Sequence, residues 1–241
     1  MKEFDELSYL DERISQIKTE KEYLLMLYDL CLKAKYVHVE NSADYAIVRR
    51  ENTLYLLFQW SDGKEDWKNN FDFAAVPYKD MDIEWRCHRG FLRVWKSIEP
   101  YVADSIMDAS VKQIILVGYS HGSAIATLAH EYVWFHRPDL RSFYVENGTC
   151  KIGIEGFGFG CPRVFYGKMP KELKKRWRTF FPIRNLNDIV THVPPAIFGF
   201  RHVESVLKIG EKGKLIRYRH FDCVSAHYPE NYRISLGADK E

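Results

Sequence analysis

The sequence predicts an α/β protein in which a mostly parallel sheet is covered by helices on both faces. Apolar runs typical of buried strands alternate along the chain with segments whose apolar residues recur at helical spacing. The chain also has 241 residues, 46% of them hydrophobic, which is enough to bury one sizeable core. We therefore expect a single domain over residues 1–241, with a helical segment over residues 1–36 packed on it.

The predicted elements begin with this N-terminal segment, whose apolar spacing indicates one or two helices. Residues 46–49 and 54–60 then predict two strands joined by a turn. A helix, a strand and a second helix follow, and a further strand, a basic helix and a last strand complete the pattern. These six elements are predicted over residues 90–107, 111–119, 123–135, 151–160, 170–180 and 181–186.

The charge balance excludes a global attraction to polyanions. The chain carries 35 basic and 33 acidic side chains, so no overall field selects nucleic acid or an anionic membrane as partner. The basic run over residues 171–178 is interpreted as the solvated face of a helix rather than as an anion-binding patch. We expect no nucleic-acid partner.

The N-terminal residues 1–16 are charged throughout and lack the apolar core of a signal peptide, so a cytoplasmic location is expected. No run approaches the roughly 18 consecutive apolar residues that a membrane span needs. The five cysteines are scattered and form no C-x-x-C pair. This pattern predicts reduced, mostly buried thiols and neither a disulfide framework nor a metal site.

The stretch VGYSHGSA, residues 117–124, places a serine between two glycines, after an apolar strand and before a helix. A serine nucleophile needs a sharp strand-to-helix turn that only small neighbours tolerate, and Gly118 and Gly122 supply them. The same turn directs the amide of His121 toward the position of a developing oxyanion at a helix N-terminus. The pattern therefore favours Ser120 as a catalytic nucleophile over a structural serine in a tight turn.

A serine hydroxyl needs a histidine that takes its proton and an acid that orients this histidine. In folds with this strand–turn–helix, the three residues follow in the order Ser, Asp, His. Asp188, at the end of a predicted strand, is the candidate acid, with a turn-capping aspartate as the alternative. The histidines that follow it and compete for the role of base are His192, His202, His220 and His227. His227, in a loop expected between a strand and the C-terminal helix, is preferred.

Several blocks of the sequence resemble the class 3 lipases of the α/β-hydrolase fold, a family best known from fungal triacylglycerol lipases. The similarity runs from about Ala46 to Tyr232. In chain order the blocks are LFQWSDGKEDWKNNFDF, CHRGFLRVW, GYSHGSA, GFGFGCPRV, and NDIVTHVPP with GFRHV. Their shared order is more specific than any single block. The resemblance implies an α/β-hydrolase fold and a carboxylic-ester hydrolase that needs no cofactor and no metal.

Carried over position by position, the resemblance implies Ser120 as the nucleophile, Asp188 as the orienting acid and His227 as the general base. It further implies an oxyanion hole formed by Ser61 and the amide of His121. The substrate would be a small-molecule ester or a lipid.

Apolar side chains around this site are expected to belong to the lid and the acyl pocket, namely Trp60, Trp67, Phe71, Ile197 and Phe198. A buried core turn explains Ile197 and Phe198 about as well. The chain departs from the family pattern at three positions. Trp60 stands where glycine is usual, Tyr119 where histidine is usual, and His121 where leucine is usual.

The lid segment, residues 62–70, is rich in charged side chains. A lid that opens onto fat droplets would present a broad apolar face. We therefore expect a water-soluble or short-acyl ester as substrate, such as a monoacylglycerol, with at most transient contact with a lipid surface. The alternative is a catalytically silent binding or scaffold protein on the same fold, for which Trp60 beside Ser61 is the best argument.

Overall fold

The computed structural model describes residues 4–39, 43–59, 73–79, 81–146, 149–211 and 222–238. For residues 143–146 and 149–150 the description covers the backbone. Four of the residues expected around the site therefore lie outside the described part of the chain: Trp60, Ser61, Trp67 and Phe71.

Helices and strands alternate along the described residues much as predicted. The α-helices there are α1 (Glu6–Ile14), α2 (Glu20–Lys33), α3 (Arg89–Met107), α4 (His121–His136), α5 (Lys171–Arg176), α6 (Asp222–Ser225) and α7 (Pro229–Ser235). The first six strands are β1 (Asp44–Arg50), β2 (Thr53–Gln59), β3 (Ala75–Tyr78), β4 (Trp85–His88), β5 (Gln113–Tyr119) and β6 (Phe143–Glu146). The others are β7 (Thr149–Ile152), β8 (Ile154–Phe159), β9 (Phe165–Tyr166), β10 (Phe180–Asn185), β11 (Phe200–Arg201) and β12 (Leu207–Ile209).

The central sheet has six strands in the order β1-β2-β5-β8-β10-β12. Strand β1 pairs with β2 in antiparallel fashion, and the remaining neighbours are parallel. Because the parallel strands all end at the same edge, this edge collects the residues that follow β5, β8 and β10. Ser120 and Asp188 lie there. The predicted mostly parallel sheet is confirmed.

Two hydrophobic cores lie on opposite faces of this sheet. In β5, Ile114 and Leu116 pack into the core under α3 and α4, whereas Ile115 and Val117 pack into the core under α1, α2 and α7. This division follows from the alternation of side chains along a strand. Strand β5, whose residues 114–117 are all apolar, is thus covered on both faces, as parallel strands usually are.

The N-terminal segment forms two helices that close the second core. A capping box between Thr19 and Glu22 begins α2 and satisfies backbone amides of its first turn. The helix then buries a stripe that includes Leu24, Leu27 and Tyr28. Helix α2 contacts strands β2 and β5 and helix α7. The N-terminal helices therefore pack directly behind the strand that leads to Ser120.

Three details of the fold differ from the sequence predictions. The strand expected over residues 151–160 is divided, because residues 149–152 pair with β6 in a hairpin and residues 154–159 pair with β5 and β10. The basic helix expected over residues 170–180 ends at Arg176, where the chain tightens into a 3-10 turn before entering β10. A small antiparallel sheet of β11, β9, β4 and β3 was not predicted, since its strands have only two to four residues.

All charged residues of the basic run over residues 171–178 are exposed except Arg176. Arg176 is buried and donates hydrogen bonds to Glu131 of α4 and to both carboxylate oxygens of Asp82. It therefore ties α5 to α4 rather than belonging to the solvated face. Its neighbours Lys174 and Lys175 are exposed, as the sequence predicted.

Candidate active site

Ser120 occupies the tight turn between β5 and α4. Its backbone has φ 54° and ψ −125°, a conformation that L-residues rarely adopt and that lifts the side chain out of the sheet edge. The flanking glycines are required by close packing. A Cβ atom on Gly118 would lie 2.3 Å from the carbonyl oxygen of Gly122, and one on Gly122 would lie 2.1 Å from that of Phe58. The predicted serine turn is therefore present.

Ser120, His227 and Asp188 form a continuous hydrogen-bonded line. Ser120 Oγ lies 2.9 Å from His227 Nε2, and His227 Nδ1 lies 2.8 Å from Asp188 Oδ2. Ser120 is almost buried and Asp188 is fully buried. The three residues are 39 or more positions apart in sequence, so only the tertiary structure brings them together.

Asp188 uses its two carboxylate oxygens for different purposes. Oδ1 accepts a 2.9 Å hydrogen bond from the Val190 amide and caps the 3-10 turn Ile189–His192. Oδ2 accepts from His227. The turn-capping interpretation and the orienting-acid interpretation of the sequence are thus both compatible with one side chain, because each takes a separate oxygen.

Tyr232 also contacts Asp188, a contact that no sequence pattern indicated. Its hydroxyl lies 2.6 Å from Asp188 Oδ2 and accepts a 3.1 Å hydrogen bond from the Asn185 amide. Burial, and next the charge of Asp188, raise the pKa of this phenol well above its usual value near 10, so the hydroxyl keeps its proton. Sequence spacing carried no signal for this contact, because an aromatic residue in an amphipathic helix ordinarily packs in a core.

His227 lies in the turn between α6 and α7. The turn follows helix α6, and residues 212–221 ahead of that helix lie outside the described part of the chain, so the strand expected before His227 stays a prediction. Asn185 Nδ2 donates a 2.9 Å hydrogen bond to the carbonyl oxygen of Ala226. Strand β10 thereby supports the turn that carries the imidazole, in addition to leading into Asp188.

The competing histidines have other partners. Both ring nitrogens of His192 face guanidinium groups, with Nδ1 3.3 Å from Arg163 and Nε2 3.0 Å from Arg184. His202 Nε2 lies 3.0 Å from the carbonyl oxygen of Thr191. His220 lies outside the described residues. Of the described candidates, His227 is the one that contacts both Ser120 and Asp188.

His121 begins helix α4, so its amide is one of the first four that lack an intrahelical carbonyl partner. Its side chain is buried beside the ring of Phe91, with 5.2 Å between ring centroids. Burial lowers the pKa of this imidazole from 6.5 to about 4. Among the described residues, neither ring nitrogen has a hydrogen-bond partner. Ser61, its expected partner in the oxyanion hole, lies outside the described residues.

Ile197 and Phe198 lie on the surface. Their side chains are 88% and 54% exposed, so the buried core turn considered for these two residues is wrong. The ring of Phe198 lies 6.1 Å from that of Phe73, which directly follows the undescribed residues 60–72. Phe198 thus contacts the residue that follows the predicted lid segment in the sequence.

The sequence profile of the family described as lipase (class 3) matches residues 55–198, more than half of the chain. The chain belongs to the class 3 lipase family. The profile covers Ser120, His121 and Asp188, and it ends before the turn that carries His227.

Curated relatives and solved structures agree with this assignment. A Rhizomucor miehei lipase is 25% identical over 156 residues, which are 63% of this chain and 40% of the relative. A Fusarium solani secreted mono- and diacylglycerol lipase is 25% identical over 143 residues, 57% of this chain and 38% of the relative. The chain therefore spans about two fifths of the length of these relatives.

The native Rhizomucor miehei lipase propeptide complex superposes with a TM-score of 0.61 at 19% identity, over 91% of this chain and 80% of that one. A triacylglycerol lipase with a serine protease triad as its catalytic centre superposes with a TM-score of 0.56 at 24% identity, over 73% and 66% of the two chains. These likenesses confirm the α/β-hydrolase fold.

The expected cytoplasmic location is wrong. It depended on the charge of residues 1–16, whereas the matched Fusarium solani lipase is a secreted protein. In the structure, these charged residues include helix α1, which buries Leu10 against the second core. Their charge reflects the exposed face of a packing helix and gives no information about a compartment. Across the described ranges, no helix has both the length and the apolar character needed to cross a membrane.

Proposed function

We propose that the chain is a serine carboxylic-ester hydrolase that acts on acylglycerol-type esters through an acyl-enzyme. The observation that carries this proposal is the hydrogen-bonded line from Ser120 Oγ through the imidazole of His227 to Asp188. Such a line supplies an activated nucleophile, a general base and an orienting acid in one arrangement.

In the first half of the reaction, Ser120 Oγ attacks the ester carbonyl carbon while His227 Nε2 takes the hydroxyl proton. Asp188 stays ionised, holds Nδ1–H and stabilises the imidazolium that forms. Collapse of the tetrahedral intermediate breaks the bond between the carbonyl carbon and the alcohol oxygen. The proton on Nε2 passes to this oxygen, so the alcohol leaves neutral and the acyl group stays on Ser120.

In the second half, a water molecule replaces the alcohol. His227 Nε2 takes one proton from the water, and the oxygen attacks the acyl carbon. Breakage of the bond to Ser120 Oγ returns the proton to the serine and releases the carboxylic acid. Each half passes through one oxyanion, which the amide of His121 and the N-terminus of α4 would stabilise, together with Ser61 as the resemblance implies.

We further propose a partial acylglycerol or a short-chain ester as substrate. The charged residues of segment 62–70 support a site that does not depend on a wide apolar lid. The Fusarium solani relative is a mono- and diacylglycerol lipase, which is the same substrate class. Ile197 and Phe198, which are exposed on the surface, would provide a small and transient contact with a lipid surface.

A fluorophosphonate probe tests the nucleophile. Wild-type protein should be labelled covalently, Ser120→Ala should not, and the matched variant Ser97→Ala, which removes a hydroxyl from α3, should be labelled like wild type. A folded wild type that resists labelling and hydrolyses no ester would establish the silent scaffold protein instead.

A series of nitrophenyl esters from two to sixteen carbons tests the substrate class. We expect kcat/KM to be highest for short chains below their solubility limit. Activity that rises only above this limit would reject the soluble-ester preference. For the surface contact, the double substitution of Ile197 and Phe198 by serine should lower the hydrolysis of emulsified esters and leave that of soluble esters unchanged. Equal losses on both would contradict the contact.

A further inference from the structure

His227, the general base of the proposed reaction, lies in a turn between two short helices. Helix α6 before His227 has four residues and helix α7 after it has seven. Helices this short are not stable alone, because too few hydrogen bonds offset the cost of nucleation. The position of the imidazole therefore depends on contacts from other elements.

Tyr119 makes two such contacts. Its hydroxyl donates a hydrogen bond to the backbone carbonyl of His227, and its ring stacks on the imidazole with 5.3 Å between centroids and 17° between planes. One contact fixes the backbone of the turn, and the other fixes the face of the ring. Tyr119 is also the residue directly before Ser120, so the end of β5 supports the nucleophile and the base together.

Tyr119 is itself held by aromatic rings from two helices. Tyr28 of α2 packs edge-on against it at 5.6 Å and 81°, and Tyr232 of α7 does so at 5.9 Å and 73°. The hydroxyl of Tyr28 also lies 3.4 Å from the carbonyl oxygen of Pro229. Burial raises the pKa of the Tyr119 phenol well above 10, so its hydroxyl remains a donor at any ordinary working pH.

We infer that Tyr119 is a positioning residue for His227, and that helix α2 of the N-terminal segment supports it through Tyr28. This inference rests on the proposed function. The hydroxyl and the ring of Tyr119 together hold Nε2 in reach of Ser120 Oγ while Nδ1 stays on Asp188. This tyrosine stands where the family usually has histidine. Through its contact with Tyr28, the N-terminal segment helps to fix the position of His227.

The size of the effect follows from geometry. A misplacement of about 1 Å in a reacting group costs about 100-fold in rate. Tyr119→Phe keeps the stacked ring and loses the hydrogen bond to the His227 carbonyl, so kcat should fall about 10-fold. Tyr119→Leu loses both contacts, and kcat should fall about 100-fold. KM should change less than about twofold in both, because Tyr119 packs against the second core behind Ser120.

The test compares these variants with Tyr55→Phe, a matched control in which a buried tyrosine of β2 in the same core loses its hydroxyl. Steady-state kinetics on a soluble nitrophenyl ester, the rate of fluorophosphonate labelling and the melting temperature are measured for each. A fall in kcat and labelling rate for Tyr119→Phe, at constant KM and with Tyr55→Phe unchanged, supports the inference. Wild-type kinetics in Tyr119→Phe would overturn it.

A readout without activity separates this inference from the proposed function. NMR spectra that detect the imidazole nitrogens measure the mobility of the His227 ring. The ring should hold one conformation in the wild type and exchange between conformations in Tyr119→Phe. An imidazole equally fixed in both would reject the positioning role, even if the enzyme is active. Wild-type protein that neither reacts with the probe nor hydrolyses esters rejects the proposed function, and the NMR comparison still decides the role of Tyr119.

Discussion

The hydroxyl of Tyr232 donates a 2.6 Å hydrogen bond to Asp188 Oδ2, the same oxygen that faces His227 Nδ1. Two donors on one oxygen hold the carboxylate in the plane that orients the imidazole. In Tyr232→Phe we expect kcat to fall about 10-fold with little change in KM, because Asp188 Oδ2 loses one of its two hydrogen-bond donors. Kinetics on a soluble ester measure this.

The same substitution removes the acceptor of the Asn185 amide, so the free energy of unfolding should fall by about 1–3 kcal/mol. Tyr78→Phe is the matched control, since the buried Tyr78 hydroxyl bonds Trp95 Nε1 and the Leu128 carbonyl in the other core. It should lose comparable stability in urea unfolding and keep its kcat. An equal loss of kcat in both variants would show that general destabilisation explains the effect.

The backbone of Ser120 is strained. A glycine at this position should therefore relieve strain in the fold, although it abolishes activity. A residue other than glycine held at φ 54° and ψ −125° costs about 1–3 kcal/mol, whereas glycine adopts this conformation with little strain. Both Ser120→Gly and Ser120→Ala should be inactive. The glycine variant should exceed the alanine variant by about 1 kcal/mol in the free energy of unfolding, after the larger unfolded-state entropy of glycine is subtracted. Equal urea midpoints would show that the turn is unstrained.

The ion pair between Asp29 and Arg233 should anchor helix α2 to helix α7. Asp29 is buried, and Arg233 Nε lies 2.8 Å from its carboxylate. In Arg233→Met the carboxylate keeps Lys33, at 3.8 Å, as its charged neighbour, so we expect a loss of about 3 kcal/mol in urea unfolding. Adding Asp29→Asn should recover part of this loss. Strictly additive losses would mean that the two side chains are not coupled.

The buried imidazole of His121 predicts sensitivity to acid. Its pKa is lowered to about 4 by burial, whereas an unfolded histidine titrates near 6.5. Between these values the unfolded chain binds a proton that the folded chain does not, so stability falls as the pH falls through this window. His121→Leu should remove about 3 kcal/mol of this loss between pH 8 and pH 4. His130, whose pKa is lowered to about 3, should maintain a residual dependence. Urea unfolding at several pH values measures the contributions of His121 and His130. If the free energy of unfolding changes with pH as steeply in His121→Leu as in the wild type, the prediction is contradicted.

Local pattern was enough to predict the strand–turn–helix around Ser120, because the glycines and the apolar runs act over eight consecutive residues. It also predicted both ends of β5, α3 and α4 to within two residues. It did not predict the small antiparallel sheet, whose strands are too short to show an alternation. The exposure of Ile197 and Phe198 could not be predicted either, because an apolar loop has the same sequence pattern whether it is buried or exposed.

The sequence by itself determined the fold class, the tight turn at Ser120 and the family, because each depends on residues that are close together or on blocks in a fixed order. The tertiary structure decided between the histidines that the sequence left in competition, and it revealed that Tyr119 and Tyr232 pack against His227, with Tyr28 of α2 in contact with Tyr119. The physical reason is distance along the chain. Contacts between residues more than 100 positions apart depend on how strands and helices pack, which spacing in the sequence does not encode.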